Sequence, residues 1–279
     1  MNPTMPPCSR RTVLKAGLLA LPALGAGRLL SAWLASPVDP TAQAAEPLPE
    51  PLAYDPATHD WVFVCDATRC IGCGLCVEAC KQENDVPLEP ECNRTWVERH
   101  TIAEDGSVVV DSPHGGIDGF PPATAADGDV GERVHEAYFV PRLCMQCDDP
   151  PCVSVCPVSA TYKTEDGVVL VDPARCIGCG YCVVACPYGA RYIVPAGDEL
   201  PGGYPGVADK CTFCYHRTTR GLTPACVGVC PVGAREFGDR ADPGAAVHAL
   251  LEDPRVRVMR PEQGTEPRVY YLGLEGEVS

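Results

Sequence analysis

The sequence predicts an α+β fold: two nested modules built from short helices and small β-hairpins, with many loops. Three observations lead there. Sixteen of the 19 cysteines fall into four groups of four, 30 prolines and 27 glycines punctuate the 279 residues, and only 6% of the chain is aromatic. Such a chain has little material for long regular elements or a large apolar core, so whatever its thiols hold must organise it.

Group one is Cys70, Cys73, Cys76 and Cys80; group two is Cys144, Cys147, Cys152 and Cys156. Group three is Cys176, Cys179, Cys182 and Cys186, and group four is Cys211, Cys214, Cys226 and Cys230. Groups one and three have the C-x2-C-x2-C-x3-C run of bacterial ferredoxins, in which three thiolates hold one 4Fe-4S cluster and the fourth reaches another. Groups two and four widen one gap but keep the final C-x3-C-P. A cuboidal cluster has four iron corners, and one short loop wraps only three of them. Gly72, Gly74, Gly178 and Gly180 supply the positive φ and close N–H approach that the wrapping needs. Ile71 and Ile177 are expected to cover the clusters against water. Two other uses of cysteine compete. A disulfide framework suits an exported chain, but tandem cysteines three apart have poor geometry for independent bridges. Zinc suits C-x2-C pairs, but tetrahedral zinc leaves the third close cysteine of groups one and three unused.

A fourth cysteine serving another cluster requires the groups to work in pairs. Groups two and three are joined by residues 157–175, where 160–172 reads as a hairpin turning at Asp166-Gly167. They form an inner module, 137–195, and groups one and four close around it as an outer module, within a four-cluster domain spanning 60–243. On that topology Cys70, Cys73, Cys76 and Cys230 share the first cluster, and Cys80, Cys211, Cys214 and Cys226 the second. Cys144, Cys147, Cys152 and Cys186 share the third, and Cys156, Cys176, Cys179 and Cys182 the fourth. Short helices are expected after each third cysteine, as at 183–186. Strands are expected at 95–102, 108–110 and 137–140, with a loop insertion over 101–136 whose middle, 112–131, is exposed. Residues 245–251 read as an apolar helix and 268–272 as a strand of the C-terminal extension, 244–279.

Residues 1–44 have a different character. Ser9-Arg10-Arg11-Thr12-Val13-Leu14-Lys15 precedes the apolar run 16–27, and Ala42-Gln43-Ala44 offers a small-residue cleavage site, the order of an export signal. The paired arginines resemble a twin-arginine signal, with Val13 where phenylalanine is usual. The run is short of a membrane span. A linker, 45–59, follows. A net charge of −15, more negative once four basic and one acidic residue leave with the signal, argues against nucleic-acid binding. Twin-arginine export carries folded, cofactor-loaded proteins, so the signal and the cysteines explain each other: clusters are built before the chain meets an oxidising compartment. No Ser-His-Asp set, phosphate loop or carboxylate pair appears, so no catalysis of its own is expected.

CIGCGLCVEAC, VPRLCMQCDDPPCVSVCPVSATYKTEDGVVLVDPARCIGCGYCVVACPYGAR and DKCTFCYHRTTRGLTPACVGVCPVGAREFGD resemble the four-cluster ferredoxin subunit of the complex iron-sulfur molybdoenzymes. That family includes polysulfide, thiosulfate, tetrathionate and dimethyl sulfoxide reductases. VMRPEQGTEPRVYYLGLEG is similar to the tetrathionate and polysulfide branch. The resemblance, from about Trp61 to Gly273, implies electron transfer between a membrane quinone-handling subunit and a molybdopterin catalytic subunit. It implies a folded, exported, peripheral subunit on the periplasmic or outer face of the membrane. The relay of another exported complex such as a hydrogenase, or a stand-alone polyferredoxin, shares these cysteines. A disulfide- or zinc-stapled binding protein would be iron-free. The chain departs from the family in Lys81, where proline is expected after a fourth cysteine, in the longer 101–136 insertion and in Val13. Lys81 stands to raise the potential of the cluster beside Cys80 or else to be simply solvated; Lys81→Glu is expected to lower one midpoint if it does the former. Cys65 and Cys92 are read as buried or free thiols, with a disulfide between them as the alternative, and His216 as a hydrogen-bonding neighbour.

Overall fold

Residues 61–66 read Trp-Val-Phe-Val-Cys-Asp, a β-branched and aromatic run without polar alternation, as expected of a strand covered on both faces. The computed structural model of the chain describes residues 53–122, 134–196 and 204–274, and there this run is β1 (Trp61–Asp66), its four middle residues buried. After it come α1 (Leu75–Glu83), β2 (Thr95–Ala103), β3 (Val108–Asp111) and β4 (Val134–Leu143). The middle of the chain holds α2 (Pro151–Ser154), β5 (Thr161–Lys163), β6 (Val169–Val171), α3 (Tyr181–Val184), β7 (Tyr192–Ile193) and β8 (Ala208–Asp209). Then follow α4 (Tyr215–Thr218), α5 (Ala225–Gly228), β9 (Arg235–Asp239), α6 (Val247–Leu251) and β10 (Val269–Leu272). The export signal expected at 1–44, most of the linker and part of the 101–136 insertion lie outside the described residues. Among the described residues no helix is long and apolar enough to cross a membrane.

β1 is the central strand of a three-stranded sheet, antiparallel to β9 and parallel to β10. Cys65 stands opposite Arg235, so the chain leaving β1 for Cys70 and the chain reaching β9 from Cys230 meet at one end of the sheet. Distant parts of the sequence thereby close on each other. Phe63 and Cys65 face the main core with Leu143, Phe213 and Tyr271. Val62 and Val64 face the other way, against Val247 of α6 and Leu272.

The long antiparallel pair of β2 and β4 runs from Thr95 opposite Leu143 to Ala103 opposite Val134, with a register shift between Ile102 and Ala103 where β4 carries the extra residue His135. Its base places the segment after α1 beside Leu143, one residue before Cys144, and so fixes groups one and two relative to each other. β3 pairs with the outer part of β2. The stretch 112–131, expected to be exposed, begins instead with a 3-10 turn, Pro113–Gly116, in which Gly115 and Gly116 are buried. The backbone here packs against the loop of group one. A Cβ on Gly74 would lie 2.4 Å from the Gly116 carbonyl oxygen.

β5 and β6 form the expected hairpin between groups two and three, Thr161 opposite Val171 and Lys163 opposite Val169. Its turn is buried rather than exposed. The Asp166 carboxylate accepts from the hydroxyls of Tyr54 and Thr164. Arg268, just before β10, donates to Asp148 at 2.7 Å and to Asp60, and its guanidinium fills the space that a Cβ on Gly167 would need. These ion pairs tie the C-terminal strand to the middle of the chain.

Candidate functional site

The loops that carry the cysteines are shaped by glycine and ended by proline. Gly74 and Gly180 adopt the left-handed conformation, φ +73° and +76°, and start α1 and α3. The helices embrace the third cysteine of each run rather than following it: α3 covers Cys182 and stops before Cys186. Proline after Cys156, Cys186 and Cys230 denies the next turn its N–H, so the chain bends and offers other amides to sulfur. Ala160 N donates to Cys156 Sγ at 3.2 Å and Ala234 N to Cys230 Sγ at 3.2 Å. Cys186 is served in the same way by the amides of Ala190 and Tyr188.

Three of the four thiol sets expected from the sequence each line one cavity. Cys80, Cys211, Cys214 and Cys226 surround one; Cys144, Cys147, Cys152 and Cys186 a second; Cys156, Cys176, Cys179 and Cys182 a third. Of the remaining set, Cys70 lies within electrostatic reach of Cys76 and Cys230, and Cys73 is exposed in the loop between them. None of the described cysteines is in a disulfide. Among the described residues no three His, Cys, Asp or Glu side chains gather tightly enough for a single metal ion. The thiols surround spaces rather than converge on points, which is the layout for a group with four corners.

The sets form a row. Cys226 of the second feels the charge of Cys76 of the first, and Cys211 of the second that of Cys144 of the third. Cys152 of the third and Cys182 of the fourth pack in one apolar group with Val169 and Ala208. Burial pushes several of the thiols up, Cys70 to about 11 and Cys147 and Cys226 to about 12, so a metal must displace their protons. Cys156 differs: burial would raise it, but the amides of Thr161, Val158 and Ala160 outweigh that and lower it.

Cys80 is the exception to the proline rule. With Lys81 in its place α1 runs on to Glu83, and the Asn84 N–H is spent on the Cys80 carbonyl. The Asn84 side chain substitutes, its Nδ2 lying 3.6 Å from Cys80 Sγ and 3.8 Å from Cys214 Sγ. Lys81 is not solvated. It is 4% exposed, and its Nζ donates to the carbonyls of Pro87 at 2.7 Å, Glu89 at 3.3 Å and Cys92 at 2.6 Å. This cage makes Lys81→Met the informative exchange. It is expected to lower stability by about 2 kcal/mol, the cost of stranding buried acceptors, and to shift one redox midpoint downward. Thermal unfolding and a potentiometric titration check both.

Sequence reasoning missed the buried cations. Arg235 is 2% exposed and both its Nη atoms lack a hydrogen-bond partner. Burial would pull its pKa down, yet the charges of Cys76, Cys226, Cys65 and Cys70 outweigh that and push it well up. Arg191, 4% exposed, has one unpartnered Nη and lines the cavity of the third set. A buried, orphaned guanidinium is costly unless an anion stands beside it. Four thiolates around an iron–sulfur core are such an anion, so the donor sets and these cations fit the clusters together. The available signal was CPYGAR and CPVGAR, arginine five residues beyond the last cysteine of groups three and four.

The other expected neighbours divide. Cys65 and Cys92 are buried free thiols, with no bridge between them. His216 Nε2 contacts Glu83 at 2.8 Å. Ile71 and Ile177, expected to cover the clusters, are 56% and 64% exposed. They sit in the outward-facing parts of loops that turn their cysteines inward.

Two models of 4Fe-4S dicluster domains match the chain, one over residues 69–160 and one over 135–240. Two clusters for each give four 4Fe-4S clusters. The chain is 40% identical to a tetrathionate reductase subunit of Salmonella typhimurium, over 85% of this chain and 81% of that protein. It is 39% identical to a thiosulfate reductase electron transfer subunit of Salmonella typhi, over 65% and 77%. To the iron-sulfur cluster-binding subunit of a menaquinone reductase from Nitratidesulfovibrio vulgaris it is 35% identical, over 76% and 88%. The chain therefore belongs with these reductase subunits in one family, the four-cluster ferredoxin-like electron-transfer subunits of the complex iron-sulfur molybdoenzymes.

Proposed function

We propose that the chain relays electrons through its four clusters between a membrane quinone-handling subunit and a molybdopterin catalytic subunit of the tetrathionate, polysulfide or thiosulfate reductase type. The sixteen cysteines hold the clusters in the four sets given above. The observation that carries this reading is the row of sets with exposed ends. Cys73 of the first set and Cys179 of the fourth are the exposed thiols among the described cysteines, each beside exposed apolar side chains. Ile71 and Leu75 flank one, and Ile177, Tyr181 and Val184 the other. The second and third sets have no exposed member. A relay needs contact with donor and acceptor at its two ends and insulation between them.

The quinone side is supported by the menaquinone reductase subunit among the relatives, and the sulfur-compound side by the tetrathionate and thiosulfate reductase subunits. Export in the folded state by the twin-arginine machinery, to the periplasmic or outer face of the membrane, is supported by the order of basic, apolar and small-residue segments in residues 9–44. What the chain's own residues do is hold the thiolates, exclude water and fix charge. The clusters, when bound, supply one-electron chemistry.

The test is iron and molybdenum analysis of the complex purified anaerobically from native membranes. The expected result is about sixteen irons per chain, rising to ~20 with one molybdenum if the catalytic partner adds a further cluster. Sixteen irons without molybdenum in the intact complex would overturn the catalytic partner, and no iron would overturn the relay.

A further inference from the structure

Three buried cations occupy the three gaps in the row. Arg235, opposite Cys65 across the sheet and with both Nη atoms unpartnered, lies within electrostatic reach of Cys76 and Cys70 of the first set and Cys226 of the second. Lys210 is 1% exposed; its Nζ donates to the carbonyls of Val169 and, at 2.8 Å, Cys211. Burial pulls its pKa down, against the charges of Cys144 and Cys152 of the third set and Cys211 of the second, which hold its proton on. Arg191 donates to Thr161 Oγ1 at 3.2 Å. It lines the cavity of the third set with Cys144 and Cys152 and lies within electrostatic reach of Cys182 of the fourth. No carboxylate is paired with any of the three in an ion pair among the described residues.

The placement has a sequence logic. Of the four cysteines that end the groups, two are followed by C-P-x-G-A-R, at 186–191 and 230–235, and two are not: CPVSAT ends in Thr161 and CKQEND in Asp85. Each module thus carries one arginine at one of its two equivalent positions, aimed at the space between its own two sets. Lys210 fills the gap between the modules.

We infer that Arg235, Lys210 and Arg191 are counter-charges shared between neighbouring clusters, each setting the reduction potentials of the pair it separates. A guanidinium keeps its charge under all physiological conditions. In a poorly polarisable interior, one positive charge placed between two anionic sites lowers the cost of adding an electron to either. Its effect on a site beyond the next set is weaker, by distance and by the intervening charge. The inference rests on the ligand sets proposed above and is tested separately from them.

The experiment uses the intact complex, iron analysis, and potentiometric titration followed by electron paramagnetic resonance. Arg235→Gln and Arg191→Gln are each expected to lower two midpoints and leave two unmoved, and the two variants are expected to move different pairs. The expected change is at least tenfold in each one-electron reduction constant, about 59 mV. Arg235→Lys and Arg191→Lys keep a cation and are expected to hold the midpoints near those of the unmodified protein. Four unmoved midpoints in an iron-replete glutamine variant would overturn the inference. So would equal shifts in the lysine and glutamine variants, or iron loss in both, since shape rather than charge would then be what the gap needs. Iron loss in the glutamine variants alone, rescued by lysine, supports the inference. Unmodified complex without iron would sink the ligand sets instead.

Discussion

Removing Cys230 and Cys226 together should cost two clusters, whereas removing Cys230 and Cys70 together should cost only one. Both members of the first pair belong to group four of the sequence, yet the structure sends them to different places. Cys226 lines a cavity with Cys80, Cys211 and Cys214, while Cys230 lies with Cys70. The antiparallel pairing of β1 and β9 imposes this, because it brings the end of group four to the beginning of group one. In terms of iron, Cys230→Ala should take the chain from about sixteen atoms to about twelve, Cys230→Ala with Cys70→Ala should stay near twelve, and Cys230→Ala with Cys226→Ala should fall to about eight. Anaerobic iron and sulfide analysis reads the difference. If each group held its own cluster, the two double variants would exchange results.

Gly178→Ala is expected to empty the fourth set while Gly180→Ala leaves it filled. The two glycines lie in one loop with φ of +67° and +76°, so alanine suffers at either position the strain of a left-handed backbone, about 1 kcal/mol. They differ in what surrounds them. A Cβ on Gly178 would lie 2.0 Å from the Gly206 carbonyl oxygen, whereas a Cβ on Gly180 would meet nothing within 4 Å. Relieving the first clash means moving the strand that follows Gly206, and Ala208 of that strand donates its N–H to Cys176 Sγ at 3.4 Å. Ala208 also lines the cavity of the fourth set. The expected signature is loss of about four irons and a lower unfolding temperature for Gly178→Ala, against full iron for Gly180→Ala. Equal iron in both would mean that the approach of Gly206 does not govern the site.

What could be read from the sequence was what local geometry dictates. Glycines between closely spaced cysteines have to take positive φ for the loop to turn its sulfurs inward, and they do. The 160–172 hairpin was legible because alternation and an Asp-Gly turn are short-range signals. The burial of Asp166 in that turn was not, since it depends on Tyr54, far away in the chain. Lys81 escapes a sequence reading for the same reason. Its neighbours in sequence suggest solvent or a cluster, but the carbonyls that hold it belong to the loop at 87–92. Their place beside cysteines makes Ile71 and Ile177 look like covers, yet a tight loop that points sulfur inward points the next side chain outward. The arginines of CPYGAR and CPVGAR carried a visible pattern whose meaning needed the third dimension, because each is defined by thiols from more than one group.

The central position of β1 bears on when the molecule can be finished during its synthesis. β1 and the first three cysteines of group one leave the ribosome well before their partners β9, β10 and Cys230, which lie far downstream in the chain. The inner module, whose parts are near one another in sequence, can form first. The outer one must wait, holding open thiols and a two-sided apolar strand without neighbours. Any factor that delivers iron to the first set therefore acts only after Cys230 has been made, and a chain cut short before β10 would carry its interior clusters yet lack a sealed first one.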